Sequence, residues 1–144
     1  MREILFRGKR TINGDWVEGN LFIPDLPNTA TQILIGTNIY RIPYDVTPST
    51  VGQYTGLTDK NGKKIFEGDI VKYKQTDAAK RNNKTIICIG KVIYNTKTAS
   101  FAVESKDKEG IKYFDYFPIK SCENIGNIHD NPSNELLERS NNSD

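Results

Sequence analysis

The sequence predicts a mainly β protein with minor α content, in which an N-terminal hairpin and sheet precede a small five-stranded barrel. Two observations carry this reading. The apolar runs are short and β-branched or aromatic, as in Ile70-Val71-Lys72-Tyr73, a composition that suits half-buried strands. Between them stand turn signals: Ile12-Asn13-Gly14, Asn61-Gly62, Gly68-Asp69 and the KDKEG run at 106–110. Five short strands opening at a Gly-Asp bend are what a small barrel requires.

Taken in order, 3–7 and 15–23 flank Ile12-Asn13-Gly14, which predicts a hairpin with a two-residue turn and Trp16 as its core anchor. Pro24, Pro27 and Asn28 stop the second strand, because proline cannot donate to a ladder. A second hairpin is expected from 32–35 and 38–42 around Gly36-Thr37, ended by Pro43 and Pro48. Thr47-Pro48 suits the start of one helical turn, with threonine as cap and proline at the first position. Asn61-Gly62 predicts a type I′ reversal, since both residues tolerate the positive φ that its two central positions need.

After the strand at 70–74, residues 75–84 are polar or small and read as an exposed loop. Residues 85–95 and 100–104 read as paired strands, 111–117 as an aromatic strand and 122–128 as the last one. No convincing tandem repeat is expected between Thr55 and Asp130. The implied organisation is a β-rich subdomain with a linker over 1–62, a barrel over 63–131 and a short helical or frayed tail over 132–144.

A chain of 144 residues buries about two thirds of the surface of its unfolded form, so no metal or disulfide is needed to hold it. Cys88 lies in an apolar run and reads as a buried free thiol. No apolar stretch approaches the length of a membrane span, and the N-terminus lacks the apolar core of a signal peptide, so a cytoplasmic protein is expected. The net charge of +2 is unevenly spread: residues 60–97 hold 10 Lys+Arg against 3 Asp+Glu. Such a segment is a candidate anion-binding face.

The run from Val51 to Tyr73, VGQYTGLTDKNGKKIFEGDIVKY, carries a resemblance. Its Gly52, Gln53, Tyr54, Thr55 and Gly56, then Asn61, Gly62 and Lys63, then Glu67, Gly68, Asp69, Ile70 and Val71 are similar to the signature segment of the YopX-like family of bacterial phage and prophage proteins. The opening MREILFRGKR, the tract around Gly14 to Gly19 and the closing ENIGNIHDNP, with Gly126, extend the similarity to about Pro132. The resemblance implies a phage or prophage protein in a bacterial host, with an SH3-like barrel in its C-terminal part. It brings no catalytic residues.

The residue inventory supplies none either. His129 is the only histidine and stands in a turn; no serine sits in a nucleophile turn. Cys88, Cys122 and His129 lack the close pairs of a zinc site, no calcium loop is present, and Gly52 to Gly56 does not continue into a phosphate-binding helix. No catalytic residue, metal or cofactor is expected, and the protein reads as a non-enzyme.

Two functions fit. The first is a protein-binding or self-assembly module, engaging a host or phage protein or another copy of itself through the aromatic strand Tyr113, Phe114, Tyr116 and Phe117. The second is a nucleic-acid binder using Lys72, Tyr73, Lys74, Lys80, Arg81 and Lys84, with the tyrosine available to stack. The remaining signature residues, Trp16, Gly52, Gln53, Tyr54, Gly56, Asn61, Gly62, Gly68, Asp69 and Gly126, read as structural.

Overall fold

The structure is a computed structural model that describes residues 1–36, 39–76, 84–116, 121–131 and 139–140. The chain is mainly β and divides into two units, Met1–Gly56 and Leu57–Asp144. The Asn61-Gly62 turn thus lies wholly inside the second unit. Of the expected tail helix over 132–139, residues 132–138 lie outside the described residues and Arg139 is in a strand instead; the two residues after Gly36 also lie outside them.

The first unit is an antiparallel sheet. Strand β1 (Phe6–Lys9) pairs with β2 (Trp16–Phe22), β2 with β3 (Gln32–Gly36), and β3 with β4 (Arg41–Asp45). On its other side β1 meets the start of β5 (Gly52–Thr58), with Phe6 opposite Gln53 and Arg7 opposite Gly52. A single bridge, Arg10 to Val46, brings the end of β4 back to the end of β1, so the sheet curls around Ile33 and Val46, both fully buried. Pro48–Thr50 is one 3-10 turn with Pro48 at its first position, as the sequence predicts, but the Thr47 before it makes no capping bond with its side chain.

Three local expectations fail here, each for a physical reason. The first hairpin loop is longer than two residues: Arg10 N–H bonds to Asp15 O, and inside that closure Gly14 N–H reaches Arg10 O at 2.8 Å. Pro43 does not end the fourth strand but sits inside it opposite Leu34; β4 is a sheet edge, where the missing N–H faces no partner. Trp16 is half-buried and not among the fully buried core. It lies directly opposite Lys9 and beside Arg7 on one face, with the Arg7 guanidinium 4.5 Å and the Lys9 ammonium 5.3 Å from its ring.

In the second unit, Leu57 and Thr58 finish β5, a turn follows, and β6 (Lys64–Phe66) leads into β7 (Asp69–Thr76). Strands β8 (Thr85–Asn95), β9 (Ser100–Lys106), β10 (Lys112–Asp115) and β11 (Glu123–Asn127) complete the five expected after the Gly-Asp bend. Their antiparallel order is β10-β9-β8-β7-β11, and β12 (Arg139–Ser140) lies along β8. The expected SH3-like barrel is therefore not a closed ring: among the described residues no pairing joins β10 to β11, and the sheet has two ends. Its inner face carries Val71, Tyr73, Cys88, Val92 and Val103, which pack with Ile65 and Cys122 into one core.

The turn before β6 also differs from expectation. A type I′ turn needs positive φ at two residues, but only Gly62 has it (φ 80°) and Asn61 does not. Gly62 N–H donates to Asp59 O and Asp59 N–H to Lys63 O, which makes a three-residue loop. The Asp59 carboxylate selects it: its Oδ1 accepts the N–H groups of Asn61 at 2.8 Å and Lys63 at 2.9 Å.

Candidate functional site

The same turn occurs a second time. Asp107, Lys108, Glu109, Gly110 and Ile111 repeat the loop of Asp59, Lys60, Asn61, Gly62 and Lys63 bond for bond. Gly110 N–H donates to Asp107 O, Asp107 N–H to Ile111 O, and Asp107 Oδ1 accepts from Glu109 at 3.0 Å and Ile111 at 2.8 Å. Gly110 takes the positive φ of Gly62, 82° against 80°. In sequence the two segments read DKNGKKIF and DKEGIKYF, a repeat within the stretch where none was expected. The signal was the Asp-x-x-Gly spacing shared by two hairpins 48 positions apart, masked by their different neighbours.

The fates of the two hairpins diverge at their aromatic ends. In the first, Ile65 and Phe66 are 0% and 2% exposed. The second oxygen of Asp59 accepts Asn124 N–H at 2.9 Å, Lys60 N–H donates to Cys122 O, and Asn124 also bonds Asp69 and Lys64, so the Cys122–Asn124 segment is fastened to this hairpin. In the second, the equivalent Tyr113 and Phe114 are 37% and 51% exposed. Among the described residues Asp107 Oδ2 takes only the hydroxyl of its own Tyr113, at 3.0 Å. Tyr116 and Ile111 are exposed beside them. Phe117 lies outside the described residues.

Strand β10 is also the end of its sheet, and its register shows which backbone groups face outward. Asp107 and Ile111 close the hairpin, so Tyr113 opposite Ser105 and Asp115 opposite Val103 point their N–H and C=O groups at β9. Lys112 and Phe114 point theirs away. Among the described residues the edge thus presents unpaired backbone donors and acceptors at Lys112 and Phe114 together with large apolar side chains, the combination that accepts an added strand. The edge at β4 also exposes Ile42, but Pro43 removes a donor from its middle. The β11 end meets Asp59 and Lys60 of the first hairpin.

The nucleic-acid candidates are only partly brought together. Lys72 and Lys74 project from one face of β7 and, with Lys60, Tyr73, Ile87, Ser121 and Glu123, line an open cleft of about 220 Å³. Glu123 stands opposite Lys72 on β11 and pairs with Lys60 at 3.3 Å, so the cleft is lined by three lysines and one carboxylate. Tyr73 alternates to the other face, is 2% exposed and donates its hydroxyl to Asp115 Oδ2 at 2.5 Å; its ring has no open face on which a base can stack. Lys84 is exposed where β8 begins, and Lys80 and Arg81 lie outside the described residues. Sequence alternation alone signals this: with Lys72 and Lys74 outward, Tyr73 must point in.

The structural signature forms one network in the second unit. Asp69, 1% exposed, accepts Phe66 N–H at 2.8 Å and Asn124 Nδ2 at 2.7 Å, tying the Glu67-Gly68 bend to β11. Gly68, at φ 86°, donates to Val92 O and accepts from Ile128 N–H. Gly126 sits in a bulge of β11 with Asn131 against it. In the first unit Gly52 and Tyr54 are buried, Gln53 pairs with Phe6, and Gly56 packs by Arg2.

Burial pushes the Cys122 thiol up, and the Asp59 charge adds to it, so the sulfur stays protonated. Among the described residues no group of three His, Cys, Asp or Glu is placed to hold a metal ion, and no helix is long and apolar enough to cross a membrane.

These features define an antiparallel β protein of two units with an open, aromatic strand edge on the second. The family model described as YopX protein matches residues 5–138, nearly the whole chain, and the chain belongs to that family. Among solved structures, protein EF1440 from Enterococcus faecalis is similar over 96% of this chain and 100% of that one, at a TM-score of 0.46 and 21% identity. None of the curated proteins matches.

Proposed function

We propose that this protein is a non-catalytic binding module that accepts an extended protein strand along the edge of β10. The observation that carries the reading is the contrast between the two repeated hairpins. The first hairpin is tied through Asp59, Lys60 and Lys64 to the Cys122–Asn124 segment and its Ile65 and Phe66 are buried, while Tyr113 and Phe114 in the same positions stand exposed on an edge without proline. An apolar strand edge of this kind gains main-chain hydrogen bonds and buried aromatic area when another strand joins it.

The test is selection of displayed random peptides on the immobilised protein, followed by affinity measurements against wild type and Phe114→Lys. Selected peptides are expected to be rich in β-branched and aromatic residues and to bind the variant at least about tenfold more weakly, a single buried contact's worth. Peptides that bind both proteins equally would place the site elsewhere.

A second reading, nucleic-acid binding, is favoured by the convergence of Lys60, Lys72 and Lys74 on one cleft. Backbone contacts by all three would give a salt dependence whose log–log slope falls by about 2 to 3 when they become Gln. A slope that the triple change leaves untouched removes this reading.

A further inference from the structure

We infer that the strand β10 accepts is β10 of a second copy of this chain, in an antiparallel pairing centred on Phe114. The inference rests on the strand-docking reading above and names its occupant. The argument is one of register. A two-fold axis relating two antiparallel neighbouring strands stands normal to their sheet, so some residue must lie opposite its own copy. Few positions in the Ile111 to Tyr116 run permit that. Centring on Lys112 sets two ammonium groups against each other, and centring on Asp115 does the same with two carboxylates; like charges directly opposite are unfavourable.

Ile111 has its N–H and C=O already bound to Asp107 in the turn, and Tyr116 ends the described run, so Tyr113 and Phe114 remain as centres and the backbone decides between them. The outward-facing groups belong to Lys112 and Phe114, and by alternation to Tyr116 once pairing extends the strand by one residue. Centring on Phe114 makes these residues exchange bonds among themselves: Phe114 with Phe114, Lys112 with Tyr116, and Tyr116 with Lys112. Centring on Tyr113 spends one end of the ladder on Gly110, whose N–H is already bound to Asp107 O in the turn.

The side chains agree with the backbone. Lys112, Phe114 and Tyr116 share one face of the strand, opposite to that of Tyr113 and Asp115. In the Phe114 register the two phenyl rings meet at the axis. Each Lys112 stem lies along a Tyr116 ring while its ammonium keeps Glu104, 3.3 Å away in the single chain. No charge has to be stripped of its partner. The β10-β9-β8-β7-β11 sheets of the two copies become one continuous sheet, and β10 ceases to be an edge.

The test is sedimentation equilibrium of the full chain over a dilution series, with Phe114→Lys and Phe114→Glu studied alone and mixed. Wild type is expected to dimerise reversibly. Each variant alone sets like charges on the axis and should associate at least about a hundredfold more weakly, while an equimolar mixture should regain dimers, because only self-opposition at 114 lets the two complement each other. Position 114 is half exposed, so the variant monomers should fold; circular dichroism checks this. Amide exchange on wild type gives a second readout that needs no variant: the Phe114 amide should be protected in concentrated solution and lose protection on dilution.

A wild type that stays monomeric at every concentration overturns the inference. So does a Phe114→Lys protein that dimerises normally, or a mixture no more associated than its components. A monomeric wild type whose selected peptides still depend on Phe114 would sink self-pairing and leave the strand-docking function standing.

Discussion

The carboxylate of Asp59 accepts the backbone N–H of Asn124, 65 residues further along the chain, at 2.9 Å. Through it a local turn is fastened to β11, at one end of the β10-β9-β8-β7-β11 order. Asp107 builds the same turn and, among the described residues, fastens nothing beyond its own hairpin. Asp59→Ala strands three backbone N–H groups and is expected to cost about 2–3 kcal/mol. Asp107→Ala frees groups that water can reach and should leave the urea midpoint nearly where it was. Equal midpoint losses in the two variants would refute the division of roles.

The same aspartates set a pH dependence. Burial pushes the Asp59 carboxyl up, but N–H donors from Asn124, Lys63 and Asn61, helped by the Lys63 charge, outweigh it and hold the group below its ordinary value of 3.8. A folded value below the unfolded one contributes stability above the unfolded value, and that contribution is lost as pH falls through the folded value. Stability is therefore expected to fall as acid takes the solution below about pH 4, and Asp59→Asn should flatten that part of the curve. Urea midpoints measured from neutral pH downward check this; an unchanged slope in the variant counts against it.

Two glycines of the second unit separate strain from collision. Gly68 has φ 86°, yet a Cβ there would meet nothing nearer than 3.5 Å, so Gly68→Ala should cost about 1–2 kcal/mol through backbone conformation alone. A Cβ at Gly90 would lie 2.6 Å from Glu104 O and 2.6 Å from Val103 Cγ1, inside the β8 and β9 region. Gly90→Ala must push the neighbouring strand and is expected to cost more, about 3 kcal/mol. Urea titration of both variants decides it, and the reverse order would be the damaging result.

Tyr73 is buried with its hydroxyl on Asp115. Tyr73→Phe keeps the ring and loses that bond, for an expected loss of about 1.5–3 kcal/mol with no change in any affinity for single-stranded DNA. A stable variant with weakened DNA binding would restore the stacking role that its sequence neighbours Lys72 and Lys74 suggest.

Residues near one another in sequence were the legible ones. Strand periodicity, the bend at Glu67-Gly68, the 3-10 turn at Pro48 and the five strands from Asp69 onward all follow from side-chain alternation and backbone preference, which act over a few residues. The family was legible too, because its motifs are contiguous runs. The choice between a type I′ turn and the observed three-residue loop was not, since Asn61-Gly62 permits both and the Asp59 carboxylate two residues before decides. Pro43 and Trp16 failed for a similar reason: an edge tolerates proline, and cations from the neighbouring strand cover an indole, but neither edge nor neighbour exists until strands pair.

The sequence by itself therefore determined the β class, the turn sites and the two Asp-x-x-Gly hairpins, because these are set by φ preferences and hydrogen bonds spanning no more than four residues. Tertiary structure alone decided that one hairpin is sealed and the other open. Ile65-Phe66 and Tyr113-Phe114 are equally apolar as text. Burial is a property of what arrives from elsewhere in the chain: the segment from Cys122 to Asn124 reaches Asp59 and Lys60, and among the described residues no segment does the same for Asp107 and β10.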